Sequence, residues 1–433
     1  MKTAVGRWPL HAVALAAFLL APLARAETLE QALDQAVKAD LRMASGQRQV
    51  DAAGDSVQAA RALAMPRVSV EGAYLSLSEQ PAMVVDLRPL PLPRTELPLA
   101  EKSSGAWRVG ATLPVYTGGR IQHTVEAAEQ GMAAAQQDVA RTVQDVRLNA
   151  AEAYANVLRA SRLLAVAESS VQTLATHERD VSGLHRQGLV ALNDVLAVQV
   201  ALANATQARI RVDNALQMAR AAYNRQLGRA LDAVVTLDEV NAIDSGESIE
   251  RATERALANR AELQALDHQT QALRRQADAA RGAERPQVAV SAGYNHVQNR
   301  YLAHEGAWSV LLGVQWNLFD GGLARHQAGA LNAKADAAAD MRRDAQTQIA
   351  LQVRNAWLAV RESRSRIDTA QAALVQADEN LRVARDRYQS GVGTNTEVLD
   401  ADTLRVRSQS NHFAAVYDNV VAVMRLRRSV GDL

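Results

Sequence analysis

Two acidic residues are the side chains whose spacing best suits a chemical role. Glu397 and Asp400 lie three positions apart in a predicted helix that begins just after Gly391, so their carboxylates share one helix face. If symmetry repeats this pair around a narrow opening, the resulting ring of carboxylates favours cations and repels anions. The alternative is that both acids complement the positive N-terminus of their helix. One residue can do both, and the sequence leaves both interpretations open.

Residue types and spacing exclude other chemistry. The chain has 433 residues and no Cys, which removes thiolate metal sites, Cys nucleophiles and a lipidated N-terminal Cys. The nine His are scattered, His304-Glu305 has no second His at metalloprotease spacing, and Gly391-Val392-Gly393 lacks the Lys of a phosphate loop. Lys+Arg 48 against Asp+Glu 47 gives no electrostatic case for a nucleic-acid partner. We therefore predict no enzyme, no catalytic residue, no cofactor, no metal site and no nucleic acid.

Residues 1–26 have the pattern of a secretory signal peptide. Lys2 and Arg7 supply positive charge, residues 12–20 are apolar, and Ala24-Arg25-Ala26 is a small-residue cleavage motif. The apolar run is too short for the alternative, a membrane-spanning helix. We predict cleavage after Ala26 and export of a mature chain with no helical anchor and no lipid anchor.

The rest of the chain is a duplication. Residues 27–230 and 248–433 repeat one order of landmarks, and residues 231–247 link the two copies. The first copy also carries a Pro-rich insertion at 81–98. The landmarks that match are Pro66 with Pro286, Gly118-Gly119 with Gly321-Gly322, Tyr154 with Trp357, Gly188 with Gly391, and Gly228 with Gly431.

Each copy opens with a predicted helix, followed by two segments that alternate apolar and polar residues. Such alternation predicts strands, and about ten residues suffice to cross a bilayer in a tilted strand. The alternative is an ordinary hairpin that faces solvent. The segments are 67–79 and 107–116 in the first copy, separated by a loop at 80–106, and 287–299 and 308–319 in the second. Three Trp residues either mark the membrane boundary or simply pack: Trp107, Trp308 and Trp316.

A long helical hairpin follows each pair of strands. The sharp junctions between strand and helix are marked by Gly118, Gly119, Gly321 and Gly322. Beyond them, apolar residues recur in alternating steps of four and three, which predicts helix packing of the coiled-coil type. Gly188 and Gly391 interrupt this pattern, so we predict antiparallel hairpins with tips at 187–194 and 390–396.

Four strands cannot close a sheet, and lipid cannot satisfy the open edges. Three copies supply twelve strands, a number within the range of membrane barrels. The predicted fold class is therefore mixed and mainly α. Long antiparallel coiled-coil hairpins form an α-barrel, and a transmembrane β-barrel takes four strands from each copy. The product is a water-filled pore continued by a tube.

The junctions, the tips and the ends of the repeats together resemble the TolC-type outer-membrane efflux proteins. The matching segments are 114–119 with 317–322, 185–196 with 387–401, and 225–228 with 428–431. The resemblance implies a homotrimer in the outer-membrane lipid of a Gram-negative bacterium, extending into the periplasm. It also implies an exit duct of a tripartite efflux or type I secretion system. Such a duct works with a periplasmic adaptor and with an inner-membrane pump or ABC exporter.

The resemblance further implies roles at the tips. It places Asp194 and Tyr388 in the hydrogen-bond network that closes the gate, and it makes Glu397 and Asp400 an acidic entrance ring. Gly393 stands where the family's gate has an Arg. The residues implied in adaptor contact are Gly188, Leu189 and Gly391.

The alternative function is a trimeric coiled-coil surface stalk or adhesin with no conduit. The two pairs of strands favour the duct, because a stalk usually carries one terminal barrel segment. The sequence does not name the cargo, which is a drug, a metal or a protein in the family that it resembles.

Overall fold

The computed structural model describes residues 26–85, 93–242 and 246–433. The predicted signal peptide therefore lies outside the described residues, except for Ala26. The chain divides into two compact units. The first unit takes the described residues within Met1–Ala44, Thr142–Arg260 and Ile349–Leu433, and the second takes those within Ser45–Arg141 and Ala261–Gln348.

Long α-helices account for most of the described residues. They are α1 (Leu29–Ala39), α2 (Leu41–Ala62), α3 (Arg120–Arg186), α4 (Leu192–Gln226), α5 (Ile249–Asn259), α6 (Ala261–Arg281), α7 (Leu323–Gln389) and α8 (Asn395–Val430). Helices α3 and α4 form a first hairpin, and α7 and α8 form a second. Their turns fall within the tips that Gly188 and Gly391 predict.

The first helix of each copy begins with a side-chain cap and is broken after about three turns. Thr28 accepts from the N–H of Gln31 at 3.3 Å, while the Gln31 side chain accepts from the N–H of Thr28 at 3.0 Å, which is a capping box. The predicted single helix to Leu63 is wrong, because the chain is extended at Asp40 and restarts at Leu41. The Asp40 carboxylate accepts from the N–H of Arg42 at 2.7 Å, so it caps the second helix instead of continuing the first.

Four antiparallel strands form one sheet in the order β1-β4-β5-β6. The strands of the described residues are β1 (Arg67–Ser76), β2 (Ala82–Val85), β3 (Thr95–Pro98), β4 (Ser103–Tyr116), β5 (Gln287–Val297) and β6 (Gly306–Gln315). Each strand of the main sheet overlaps an alternating segment of the sequence. Because Pro114 has no N–H to donate, the β4–β5 register shifts between Pro114 and Tyr116.

The segment predicted as a loop at 80–106 is partly a hairpin. Strands β2 and β3 pair from Ala82 with Pro98 to Val85 with Thr95. Both strands of an isolated two-stranded ribbon are edge strands, and edge strands tolerate Pro. The Pro residues of the segment 81–98 therefore did not prevent β2 and β3 from pairing. Strand β4 also begins earlier than predicted, at Ser103, because it pairs there with Ser76.

The main core of the first unit is built around three buried Tyr residues: Tyr154, Tyr223 and Tyr417. The hydroxyl of Tyr154 lies 2.8 Å from the carbonyl of Glu27 and 2.7 Å from that of Asp238. In the second copy, Trp357 Nε1 donates to the carbonyl of Glu247 at 2.9 Å. Both copies therefore tie the residue before the N-cap of their first helix to an aromatic side chain of the long helix.

Candidate functional site

The sheet of the second unit has one apolar face and one polar face. Paired residues on neighbouring antiparallel strands point to the same side. One row of the apolar face consists of Val70, Val109, Tyr294 and Trp308, and the next consists of Val68, Ala111, Ala292 and Val310. The opposite face carries the row Glu71, Arg108 and Asn295. Large apolar side chains on the apolar face are exposed, with Val70 at 73% and Val310 at 79%. Such a surface is typical of a contact with lipid or with another protein.

Aromatic residues lie at both ends of this apolar face. At one end the ring centroid of Tyr294 is 5.4 Å from that of Trp107 and 5.2 Å from that of Trp308. Beyond the other end of β6, Trp316 and Phe319 are exposed. An apolar band between two aromatic girdles is the pattern of a strand that crosses a bilayer.

The helices do not show the pattern of a membrane-spanning segment. In the described part of the chain, no helix combines the length and the apolar character needed to cross a bilayer.

The junctions between strand and helix depend on left-handed backbone conformations. Gly118 has φ +62, and a Cβ there would lie 2.5 Å from the Cβ of Arg285 and 2.7 Å from the carbonyl oxygen of Gly282. Arg285 Nη1 also donates to the Gly118 carbonyl at 3.0 Å. The other predicted junction glycines also have positive φ: Gly119, Gly321 and Gly322.

The two tips of the first unit expose apolar side chains. Gly188 and Gly391 have φ +75 and +76, and each allows the next N–H to bond back to the end of the preceding helix. Leu189, predicted as an adaptor contact, is 67% exposed. Further exposed apolar residues at the tips are Leu192, Leu196 and Val392.

The predicted acidic pair is exposed on α8. Thr394 caps this helix and accepts from the N–H of Glu397 at 3.3 Å, so Glu397 does lie in the first turn. Glu397 Oε2 also lies 3.8 Å from Arg387 Nε, across the tip from α7. Asp400 is exposed one turn further on. Within one copy, Arg387 therefore offsets part of the negative charge at this position.

The two predicted gate residues are close but not bonded through the Tyr hydroxyl. Tyr388 is buried, and its hydroxyl has no hydrogen-bond partner among the described residues. Burial and the nearby Asp194 carboxylate raise the pKa of Tyr388. Gly393 contributes no side chain, and a Cβ there would lie 3.0 Å from the backbone nitrogen of Tyr388. The structure thus places Asp194 near Tyr388 without the direct hydrogen bond.

Sequence reasoning missed a buried polar layer just behind the tips. His177 Nε2 lies 2.8 Å from Asn395 Oδ1, and Ser170 Oγ donates to Asp402 Oδ2 at 2.9 Å. Burial lowers the pKa of His177 and raises that of Asp402. The only sequence signal was the spacing, because 170 and 177, like 395 and 402, are one heptad apart.

No group of three or more His, Cys, Asp or Glu among the described residues could hold a metal ion. The strongest geometric features are therefore an apolar sheet face with aromatic ends and a set of helical tips with exposed apolar residues. This combination is suited to passage across a membrane and to contact with another protein.

Comparison with known proteins agrees with this geometry. The family model described as "Outer membrane efflux protein" matches residues 32–229 and 252–432, which is most of the chain. The chain is 24% identical to the outer membrane protein OprJ of Pseudomonas aeruginosa over 76% of this chain and 70% of that protein. It is also 24% identical to the cation efflux system protein CusC of Escherichia coli K12, over 66% of this chain and 63% of that protein.

A solved structure shows the same fold. A crystal structure of CusC matches with a TM-score of 0.79 at 16% identity, covering 93% of this chain and 91% of that one. The predicted fold class, mainly α with long hairpins and a four-stranded sheet, is confirmed, as are the outer-membrane location and the efflux channel. The family is one of channels and not of enzymes, and it favours the duct over the surface stalk. The chain belongs to the outer membrane efflux protein family.

Proposed function

We propose that three copies of this chain close one pore in the outer membrane and form the exit duct of an export system. The observation that carries the proposal is the sheet, which has a continuous apolar face and two strands paired on one side only. Among the described residues, β1 pairs only with β4, and β6 only with β5. Open edges are not tolerated in lipid, so β6 of one copy pairs with β1 of the next.

The polar face of the sheet then lines the pore. Three copies contribute four strands each, which gives twelve, and a barrel of this size encloses water. The row that contains Glu71, Arg108 and Asn295 faces this water, while the Val and Trp rows face lipid. The alternation of the two faces is what a solvated channel requires.

The tips carry the contact with a periplasmic adaptor. Leu189 and Val392 are 67% and 69% exposed. Exposed apolar side chains that lie close together mark a surface that contacts another protein. Gly188 and Gly391 set the turns that present them. An inner-membrane pump or ABC exporter then delivers substrate through the adaptor, in a tripartite efflux or a type I secretion system.

The same tips control entry. Glu397 and Asp400 of three copies form an acidic ring that favours cations, reduced by the neighbouring Arg387. Asp194 and Tyr388 belong to the residues that close the gate, and their proximity supports this role. CusC is named for a cation efflux system, and the acidic ring makes cations a reasonable cargo class to test first.

Planar bilayers and a deletion strain test this function. We expect the purified protein to conduct ions in discrete steps, and the strain that lacks it to lose export of drugs, metals or a secreted protein. Each class of cargo is assayed separately, with the complemented strain as control. Two results together contradict the proposal: purified protein that leaves the bilayer nonconducting, and a deletion strain that still exports every cargo.

A further inference from the structure

The polar face of the main sheet carries few charged side chains. In the described residues of its four strands they are Arg67, Glu71 and Arg108, and all three are exposed. The apolar face of the same strands carries no Lys, Arg, Asp or Glu. Two Arg and one Glu therefore give the polar face a net charge of +1 in each copy.

Arg108 and Glu71 lie opposite each other on neighbouring strands but do not form an ion pair. They are direct partners in the β1–β4 register, where opposite charges usually attract. Within the described part of the chain, however, neither a hydrogen bond nor an ion pair joins them. The Arg108 side chain extends over Gly110 instead, because a Cβ at Gly110 would lie 3.5 Å from Arg108 Nε and 4.0 Å from its Nη2. Arg108 thus leans out of its own row into the next one.

That next row is open and polar. Its members are Ser69, Gly110, Gly293 and Ser309. The two central residues have no side chain, and a Cβ at Gly293 would lie 2.8 Å from the Val109 carbonyl oxygen, so the close approach of β4 to β5 requires the glycine. The hydroxyls of the two Ser residues are in the same row and can donate hydrogen bonds. The guanidinium therefore lies over a gap that no side chain fills and that contains no carboxylate.

A guanidinium in this setting is suited to bind anions. Arg keeps its charge at any physiological pH, and it holds carboxylates and phosphates through two parallel hydrogen bonds. In a closed barrel, three copies set three such groups around one water-filled cross-section, and the low-dielectric wall focuses their field into the water. Arg67, two rows further along the same face, adds charge of the same sign.

We propose that Arg108 is an anion-binding residue of the pore, which attracts the carboxylate, phosphate or sulfate groups of solutes that pass through the barrel. The proposal rests on the proposed function, since three copies must first enclose the lumen. It deepens that function by naming a substrate class, because solutes with anionic groups are then favoured in the barrel. The sign of this preference is opposite to that of the acidic ring at the tips.

The first test is the reversal potential of the full-length protein in planar bilayers under a gradient of potassium chloride. Arg108→Gln removes the charge but keeps a polar side chain, and we expect the permeability ratio of chloride to potassium to fall at least about twofold. Arg108→Lys is the matched control, because it keeps the charge, and its ratio should stay close to that of the unmodified protein. Arg108→Met, also uncharged, replaces Arg108→Gln if that variant assembles poorly.

An opposite change checks the sign of the effect. Glu71→Gln removes the acid of the same face, so we expect the permeability ratio of chloride to potassium to rise. Both substitutions exchange a charged side chain for an amide at an exposed position of the sheet. A general disturbance of the barrel would move both ratios in the same direction, whereas the charges move them in opposite directions.

The second test measures binding. Tripolyphosphate added to the chamber should block the current, because its phosphate oxygens accept hydrogen bonds from the guanidiniums. We expect the half-blocking concentration to rise at least about tenfold in Arg108→Gln, the factor that corresponds to the loss of one charge-assisted hydrogen bond. The increase should be smaller in Arg108→Lys, which keeps the charge but lacks the paired donors.

Three results overturn the proposal. Equal permeability ratios for the unmodified protein and Arg108→Gln would show that this charge does not act on passing ions. Equal half-blocking concentrations of tripolyphosphate in the same two proteins would show that the anion binds elsewhere. A ratio that does not rise in Glu71→Gln would show that the charges of this face do not set the preference. In each case the unmodified protein still conducts, whereas failure of the proposed function would leave every variant nonconducting.

Discussion

Ser170 Oγ donates to Asp402 Oδ2 at 2.9 Å, while the other oxygen of this buried carboxylate has no partner in the described part of the chain. A buried carboxylate with one unbonded oxygen is costly when charged. Burial raises the pKa of Asp402, and the nearby Arg405 and Arg385 lower it only in part. At Asp402, the interface between the two hairpins therefore combines a bond that stabilises closure with a charge that opposes it.

Removing that charge should strengthen closure. Asp402→Asn keeps an oxygen that accepts from Ser170 but carries no charge, so we expect the closed state to gain about 1 kcal/mol and the bilayer current at pH 7.5 to fall. The matched control is Asp368→Asn, an exposed acid on α7.

The effect should disappear on acidification. Because the pKa of Asp402 is raised in the closed state, the cost of its charge is present above that raised pKa and is lost as the pH falls through it towards 3.8. The currents of Asp402→Asn and the unmodified protein should therefore converge at low pH. An unchanged difference between them at pH 7.5 and pH 4 would contradict this assignment.

His177 should weaken closure on acidification. Its pKa is lowered from 6.5 chiefly by burial and also by Arg385 of α7, while Asn395 and Asp402 of α8 and Asp180 of α3 raise it. An open seam binds the proton more readily than a closed one. The stability of the closed state is therefore present above pH 6.5 and falls as the pH drops towards the lowered pKa.

The measurement for His177 is a difference between two proteins. Asp402 acts in the opposite direction, so the current of the unmodified protein alone mixes both effects. His177→Gln lacks the titrating ring and serves as the reference. We expect the current ratio of unmodified protein to His177→Gln to rise between pH 7.5 and pH 5, and a constant ratio would exclude His177.

The acidic entrance ring predicts ion selectivity. The double variant Glu397→Gln with Asp400→Asn should lose most of its preference for cations, measured as the reversal potential in a salt gradient. Arg387→Gln should shift the reversal potential the other way, because it releases Glu397 from its 3.8 Å partner. Unchanged reversal potentials in both variants would leave these acids only their role at the helix N-terminus.

Two junction glycines separate the cost of a left-handed backbone conformation from the cost of a steric clash at Cβ. Gly118 and Gly321 have φ +62 and +70, but only at Gly118 would a Cβ meet other atoms, at 2.5 Å. We expect Gly321→Ala to cost about 1 kcal/mol from its backbone conformation alone, and Gly118→Ala to cost roughly 2–3 kcal/mol. Equal shifts in the thermal unfolding of the two variants would contradict the close packing at Gly118.

Much of the fold follows from periodicities that are visible in the sequence. Alternating segments gave the four strands, and glycines at matched places gave the turns at Gly188 and Gly391. The break at Asp40 was missed because neither Pro nor Gly marks it in the sequence, while the side chain that caps α2 is a local competitor. The β2–β3 hairpin was missed because Pro-rich segments are usually read as loops.

The buried polar layer behind the tips could not be predicted from the sequence, for a different reason. A search for apolar residues in heptads cannot find Ser170 or His177, because both are polar, and it follows Val171 and Leu174 instead. In the structure Ser170 and His177 are buried, whereas Val171 is only partly so. Tertiary packing against α8 decides this, and nothing local to α3 encodes it. The roles of Asp194, Tyr388 and Leu189 likewise stay predictions.

The proposed function requires several copies to join, because the edges of β1 and β6 must be satisfied. Native mass spectrometry of the detergent-solubilised protein, taken from a preparation that conducts in bilayers, tests it most directly. We expect one species with the mass of three mature chains. A conducting preparation that contains only single chains would contradict it.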